Sequence, residues 1–406
     1  MSAGAVSTGA TSSGAVTSTG RDRVLLCLVV GAPRHYGVGQ VWDDVLRGFA
    51  KRGWKVILAV LDAHHAADWQ AAYPELTVVT SPLPASVPSV TAGRWRKLGS
   101  MLRRVGGQLS YLNWLTRLAK ERGVHTLIIQ SPPETLLAAL VARRAKLRAL
   151  WLVPNAVGNE VPFDLNRRIY RLVFRLGMVP VANSHFTDST FGPGRHERHV
   201  VHLGVDTTYF APNGDPRPVR DAFGIPMDAP VVGLFARLTP SKGQDRLIEA
   251  LAQSGTPFHL LLCGGPVEGD YGDHLRRRID ELGLSGRVHL AGPQTDLRSF
   301  FAASDIIANV RVDPEPFGLT IIEAMASGKP VLVHGLGGPS EIVTDGREGW
   351  VLPNVELSTI AEGLRRALAS RREWQMLGGA GARRAKLSFG KERFLRQIEE
   401  LARRDR

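Results

Sequence analysis

The chain is poor in cysteine: 406 residues hold only Cys27 and Cys263, far apart and each inside an apolar run. Two such thiols make neither a disulfide framework nor a zinc set, and they read as buried side chains in a reducing compartment. Long hydrophobic runs are also missing. The longest, VLLCLVV at 24–30, is strand-length and far short of a bilayer crossing. The opening stretch, MSAGAVSTGATSSGAVTSTG (1–20), has no charge and no continuous apolar core. It lacks the marks of a signal peptide and predicts a disordered tail, so a cytoplasmic location is expected. Acidic residues are in short supply: 38 against 51 basic ones leave a net charge of +13. Such a balance favours anionic partners. No nucleic-acid-binding module accompanies it, and the basic residues are scattered over many helices, so no nucleic-acid partner is expected.

Basic residues are densest in RWRKLGSMLRRVGGQLSYLNWLTRLAKERG (94–123), interleaved with Leu, Trp and Tyr. This segment reads as two surface helices with a solvated basic face, interrupted at Gly106 and Gly107. Peripheral contact with an anionic membrane is the other reading.

Beyond the tail, strand-like and helix-like runs alternate, the pattern of an α/β protein with parallel sheets. Strands are predicted at 24–30, 54–61, 125–130, 149–154, 180–183 and 199–203. An amphipathic helix over 39–53 ends at Gly53. The Pro/Gly-rich stretch FAPNGDPRPVRDAFGIPMDAP (210–230) reads as an interdomain connection, after which the alternation restarts. A second set of strands is predicted at 231–238, 258–265, 287–292, 305–310, 330–335 and 349–353. The fold class expected is two Rossmann-like parallel-sheet domains, 21–210 and 211–385, facing a cleft. A charged C-terminal helix within 386–406 is expected to return to the first domain. Open α/β sheets bind ligands at the carboxyl ends of their strands.

The stretch DPEPFGLTIIEAMASGKPVLV (313–333) carries two carboxylates, Glu315 and Glu323, with seven residues between them. Pro316 suits a helix start, and Gly328 with Pro330 a helix stop. Glu323 then falls at the edge of the inward-packing face, where a carboxylate is costly without strong hydrogen bonds or a cleft. The intervening residues span roughly 10 Å at helical rise, which suits two ends of one extended ligand. FARLTPSKGQDRLIEAL (235–251) adds Arg237 and Lys242 just past a strand end and ahead of a helix start, a pairing that favours a diphosphate. LLLCGGPVEG (260–269) and HGLGGPSEIV (334–343) each end a strand in a glycine pair that permits close approach.

In this order ARLTPSKG, LLLCGGP, RVHLAGP, EPFGLTIIEAMASGKPV, GGPSEIV and DGREGWVLP resemble the donor-binding domain of family 4 of the retaining glycosyltransferases, the glycogen-synthase-like and mannosyltransferase-like group with the two-domain GT-B fold. The resemblance extends to VVHLGVDTTYFAP (200–212) and, more thinly, to YGVGQVWDDVLRGFAKRGWKV (36–56). It implies a metal-independent enzyme that moves a sugar from a nucleoside-diphosphate sugar to a hydroxyl of a carbohydrate, lipid-linked or secondary-metabolite acceptor, with no cofactor. Arg237 and Lys242 would bind the diphosphate, Glu323 the ribose hydroxyls and Glu315 the transferred sugar. Main-chain amides of Phe317, Gly318 and Leu319 would face sugar and phosphate, and Gly37 would approach the diphosphate across the cleft. Family members commonly carry a histidine where this chain has Pro154 and Asn155; Asn155 can replace its hydrogen bond but not a proton shuttle. His35, in GAPRHYG, is read as a loop residue near the cleft. No Asp-x-Asp triplet is present, and DAHHAAD (62–68) is read as solvated connector rather than metal cluster.

Three other readings compete. In GVGQVW, Trp42 occupies the place where a dinucleotide-binding loop requires a third small residue, which argues against a dehydrogenase. A nucleic-acid-binding role has only the net charge to recommend it. Sugar-nucleotide epimerases and phosphorylases share the fold and stay open at this level.

Overall fold

The computed structural model describes residues 23–33, 37–81, 109–158 and 165–405. The first sheet has seven parallel strands: β1 (Val24–Val29), β2 (Lys55–Val60), β3 (Thr77–Thr80), β4 (Val124–Ile129), β5 (Arg148–Val153), β6 (Met178–Ala182) and β7 (His199–Val200). Their spatial order is β3-β2-β1-β4-β5-β6-β7. The second has six: β8 (Val231–Phe235), β9 (His259–Cys263), β10 (Val288–Gly292), β11 (Ile306–Asn309), β12 (Val331–His334) and β13 (Gly349–Leu352), ordered β10-β9-β8-β11-β12-β13. Both sheets therefore start centrally, wind outward to one side and then return to the other. Each has one place where the winding reverses, between β1 and β4 and between β8 and β11. Such switch points open a crevice at the carboxyl ends of the two strands.

Helices cover both faces. The first domain carries α1 (Val38–Lys51), α2 (Ala66–Ala72), α3 (109–121), α4 (Thr135–Ala145), α5 (Leu165–Arg175) and α6 (His185–Ser189). The second carries α7 (Arg217–Ala222), α8 (Gln244–Ser254), α9 (Asp270–Glu281), α10 (Leu297–Ala303), α11 (Leu319–Ala326), α12 (Pro339–Ile342), α13 (Leu357–Ala369) and α14 (Trp374–Ser388). Strands covered on both faces must be apolar throughout, which is why β1 reads VLLCLV and every residue of it is buried. Cys27 lies in that strand and Cys263 ends β9; both are buried and unbridged, and burial pushes both thiols far up.

A last helix, α15 (Lys391–Arg403), leaves the second domain and packs on the first. Phe394, Leu395, Ile398 and Leu401 join the core formed by β1, β2 and α1. The indole N–H of Trp54 donates to Glu399 at 2.9 Å, and the Thr126 hydroxyl donates to the Ala402 carbonyl at 2.7 Å. Val205 bridges to Gly390 where the chain crosses, so two strands of chain link the lobes side by side.

Two details differ from the sequence expectation. Strand β3 was not foreseen: TVVT is a four-residue sheet edge with only half-buried valines, too short to show alternation. Of segment 94–123, residues 94–108 lie outside the described residues. The rest contains α3, whose Tyr111, Leu112, Leu115, Leu118 and Ala119 are buried in the first domain's core. Its apolar stripe therefore faces the protein. Among the described residues no helix is long and apolar enough to cross a membrane.

Candidate active site

The candidate residues gather at the β8/β11 switch point. Past β8 the chain runs through Arg237 into a tight turn over Pro240–Lys242, then through Gly243 into α8. The neighbouring β9 exit comes very close. At Gly264, with φ +146°, an added Cβ would stand 1.8 Å from the Ala236 carbonyl oxygen, so only glycine fits there. Past β11 the chain runs Arg311 to Gly318 and into α11.

The loop carrying Glu315 is pinned along its main chain. Its N–H donates to the Leu336 carbonyl at 3.3 Å, and its carbonyl accepts from the Gly338 N–H at 2.8 Å. A Cβ on Gly337 would stand 2.4 Å from that same carbonyl oxygen, which explains one glycine of the GLGG run. The Glu315 side chain then meets two cations. Lys242 Nζ and Arg311 Nη1 each lie 3.1 Å from Glu315 Oε2, and all three side chains are largely shielded from solvent. Asp313 holds the other edge of the Arg311 guanidinium at 2.6 and 2.7 Å, and this contact drives the Asp313 carboxyl below its ordinary value. Two cations held on one carboxylate, at the carboxyl ends of two strands, can receive a dianionic group once that group displaces Glu315 from them.

Helix α11 begins at Leu319, three residues later than the proline suggested, because Gly318 takes a left-handed conformation (φ 110°) that the first helical turn cannot include. Pro316 instead lies in the approach loop, where its carbonyl accepts from the Ser184 hydroxyl of the first domain. The ring of Phe317 is buried and stacks on His202 at 5.7 Å, leaving only its main chain for a ligand. Leu319, half-buried, opens the helix.

Glu323 is not at the rim of a face but fully enclosed, 2% exposed. Burial pushes its carboxyl up to about 7; the Asp44 charge pushes the same way, and a hydrogen bond from Gln40 opposes both. Gln40 and Asp44 lie on α1 of the first domain, so the carboxylate faces the opposite lobe. Asp44 is itself raised to about 6, chiefly by burial and against the pull of Lys391, whose ammonium lies 3.2 Å away.

The other anticipated residues are placed less intimately. Gly37 starts α1 with φ 56°, beside the first domain's own switch point. The Arg237 side chain is exposed and forms no ion pair among the described residues; its carbonyl accepts from Gln244 at 2.8 Å. Asn155 lies exposed past the end of β5, with no hydrogen bond to any described residue. His35 lies outside the described residues.

Arg311, Gln40, Asp44 and Glu341 were missed: Arg311 pairs within its own loop and joins the cluster only because Lys242 reaches the same Glu315, and the other three acquire their roles through contacts distant in sequence. Glu341, from the GGPSEIV motif, ties the lobes together. Its oxygens accept from the His185 and Phe186 amides at 2.9 and 2.8 Å and pair with His202 Nε2 at 3.1 Å. Burial raises this carboxyl, but His202 and the two amides outweigh burial and hold it below its ordinary value. His185, His202 and Glu341 bring three potential metal-ligand atoms within 4.8 Å, the one such group among the described residues. In DAHHAAD the acids pair locally instead, His64 with Asp62 at 3.0 Å and His65 with Asp68 at 3.2 Å.

Residues 217–384 match the family model of glycosyl transferases group 1. The match spans β8 to β13 and every second-domain side chain described above. Over 169 residues the chain is 38% identical to the D-inositol 3-phosphate glycosyltransferase of Mycobacterium tuberculosis (strain ATCC 25618 / H37Rv), a stretch covering 41% of this chain and 35% of that enzyme. The chain thus spans about a third of the length of the curated relatives it matches. The fold comparison reaches further. The Anabaena protein Alr3699/HepE, solved in complex with UDP, superposes with a TM-score of 0.77 over 93% of this chain and 98% of its own, at 24% identity. A glycosyltransferase from Rickettsia africae ESF-5 gives 0.77 over 94% and 98%, at 18% identity. Both lobes and their pairing therefore follow the GT-B glycosyltransferase architecture.

Proposed function

We propose that this protein is a retaining glycosyltransferase of the family 4 type, moving a sugar from a nucleoside-diphosphate sugar to a hydroxyl acceptor without a metal. The observation that carries it is the Lys242–Glu315–Arg311 cluster at the switch point, with Glu323 enclosed one helix further on. The donor diphosphate takes Lys242 and Arg237, and the α11 start supplies main-chain amides to it. Glu315, released from its cations, accepts from the sugar hydroxyls, and Glu323 accepts from the ribose. Transfer breaks the bond between the anomeric carbon and the diphosphate while an acceptor hydroxyl bonds to that carbon on the same face. Negative charge accumulating on the leaving diphosphate meets cations already in place. Lys242, Arg237 and Arg311 neutralise that charge with protein groups alone, which supports metal independence. The UDP in the Anabaena structure makes uridine the first base to test. The excess of basic residues favours an anionic or lipid-linked acceptor, met in the cytoplasm or at an anionic membrane face.

The test is a product assay with labelled UDP-, GDP- and ADP-sugars against a panel of sugar and polyol acceptors, in the presence of EDTA. A glycosylated product with the donor's anomeric configuration, formed at full rate in chelator, is expected. An inverted anomer removes retention, loss of activity in EDTA removes metal independence, and free epimer or sugar 1-phosphate in place of a glycoside favours the epimerase or phosphorylase reading.

A further inference from the structure

A second cavity, of about 600 Å³, lies in the first domain between α5 and the segment joining α6 to β7. Its lining is unusual for a surface hollow: four arginines, Arg167, Arg171, Arg175 and Arg195, stand around an aromatic floor of Tyr170, Phe174 and Phe191. Among the described residues no carboxylate lines it. None of the four guanidiniums forms an ion pair among the described residues, whereas many other arginines of this chain do. Four guanidiniums around one hollow, unpaired among the described residues, repel one another and favour an anion.

Two buried polar atoms at the same place also lack partners: Arg167 Nε and His196 Nε2. Buried polar atoms without partners are uncommon in folded proteins and point to an absent group. His196 stacks on Phe174 with ring centroids 4.2 Å apart, which fixes its imidazole at the cavity wall. Burial and the neighbouring Arg198 hold that imidazole below its ordinary value, and Asp188 opposes them. Behind the aromatic floor is Trp151 of β5, 4.9 Å from Tyr170 and 5.6 Å from Phe191 by ring centroids.

The cavity is separate from the cleft. Phe174 and Arg175 end α5 just before β6 begins. Arg195 and His196 immediately precede Glu197, which pairs with Arg148, the first residue of β5. These residues therefore sit toward the strand starts, whereas Lys242, Glu315 and the switch points sit at the strand ends. Nothing in the donor site needs this hollow.

We propose that this cavity is a second ligand site, for a small organic phosphate with an apolar or aromatic portion. The arginine fork geometry and the orphaned Arg167 Nε–H recognise phosphate oxygens. The aromatic floor takes the apolar part, with arginine stacking available at the rim. An inorganic anion alone would leave the floor unfilled, and a neutral apolar molecule would leave the cations unpaired. The same chemistry is offered by a soluble phosphomonoester and by a phospholipid headgroup; the closed aromatic floor favours the soluble ligand.

The test uses the full chain with phenyl phosphate, inorganic phosphate, phenol and phosphatidic acid vesicles, read by Trp fluorescence and calorimetry. Phenyl phosphate is expected to bind at least tenfold more tightly than phenol or inorganic phosphate. The double variant Arg171→Glu/Arg195→Glu, both exposed positions, should lose that binding at least tenfold with an unchanged melting temperature. His196→Gln should weaken it less. Equal binding of phenol or of inorganic phosphate, or undiminished binding in the double variant, overturns the proposal. So does binding to vesicles with none to phenyl phosphate. UDP binding, measured in parallel, reports on the cleft alone, so the two sites fail or hold separately.

Discussion

Glu323 is the residue whose environment departs most from what its type prefers. A carboxyl raised from 4.5 to about 7 binds a proton more tightly in the folded than in the unfolded chain. Stability is then greatest below pH 4.5 and falls as pH rises toward 7, by on the order of 3 kcal/mol. Asp44, raised from 3.8 to about 6, pulls in the same direction over a lower window. The variant Glu323→Gln should therefore melt close to the parent at pH 5 and above it at pH 8; an equal difference at both values would show that the carboxyl titrates normally. On the ribose-binding role proposed for Glu323, the same variant should bind a nucleoside diphosphate less well, because ribose hydroxyls would donate to the ionised form. Parent affinity should accordingly tighten between pH 6 and 8 and the variant's stay flat. Lys242 has the opposite profile, adding little to stability and much to turnover. Lys242→Ala is expected to lower kcat by about 10²–10³-fold, the loss typical of one preorganised donor to a developing anion. Near-parental turnover would remove Lys242 from the chemistry.

At the level of elements, α15 is where the second half of the chain holds the first half together. Its apolar face completes a core it does not belong to in sequence, and Leu395 sits so tightly on α1 that a Cβ on Gly48 would stand 2.5 Å from its Cδ1. Leu395→Ala should cost about 3 kcal/mol, within the range for a buried leucine whose surroundings cannot collapse, read by urea titration of the first domain's Trp signal. A change below 1 kcal/mol would mean that α15 merely lies on the surface. The elements themselves were largely legible from sequence, because a strand covered on both faces must be a continuous apolar run and a helix between strands must be amphipathic. β1 obeys this throughout, and α1 does apart from the buried Asp44. The start of α11 was not legible, since Pro316 reads as a start signal and the left-handed conformation of Gly318, which delays the helix to Leu319, is visible only in the structure. Glu315 and Lys242 were visible as chemistry-bearing residues on strand exits. Arg311 was hidden among many arginines, and Glu341 looked like an ordinary helix residue until α6 was brought against it.

For the whole molecule, the decisive feature is that the cleft is made by two lobes joined at a few points. Glu341 under α6, Pro316 under Ser184, Glu323 against Gln40 and the Val205–Gly390 bridge tie the second lobe to the first. A ligand held by both lobes stabilises the folded state by mass action, about 2.7 kcal/mol at a hundredfold excess over Kd. If the cleft is a nucleoside-diphosphate site, UDP, GDP or ADP should raise the melting temperature with a clear preference for one base. Small-angle scattering should register a smaller radius of gyration with that nucleotide. Lys242→Ala should abolish most of the shift because the diphosphate loses its cation, while Leu395→Ala should lower the starting temperature and leave the shift intact. Equal shifts from all three nucleotides that survive in Lys242→Ala would place the bound phosphate elsewhere, on the basic surface at large, and the cleft would lose its claim to the donor.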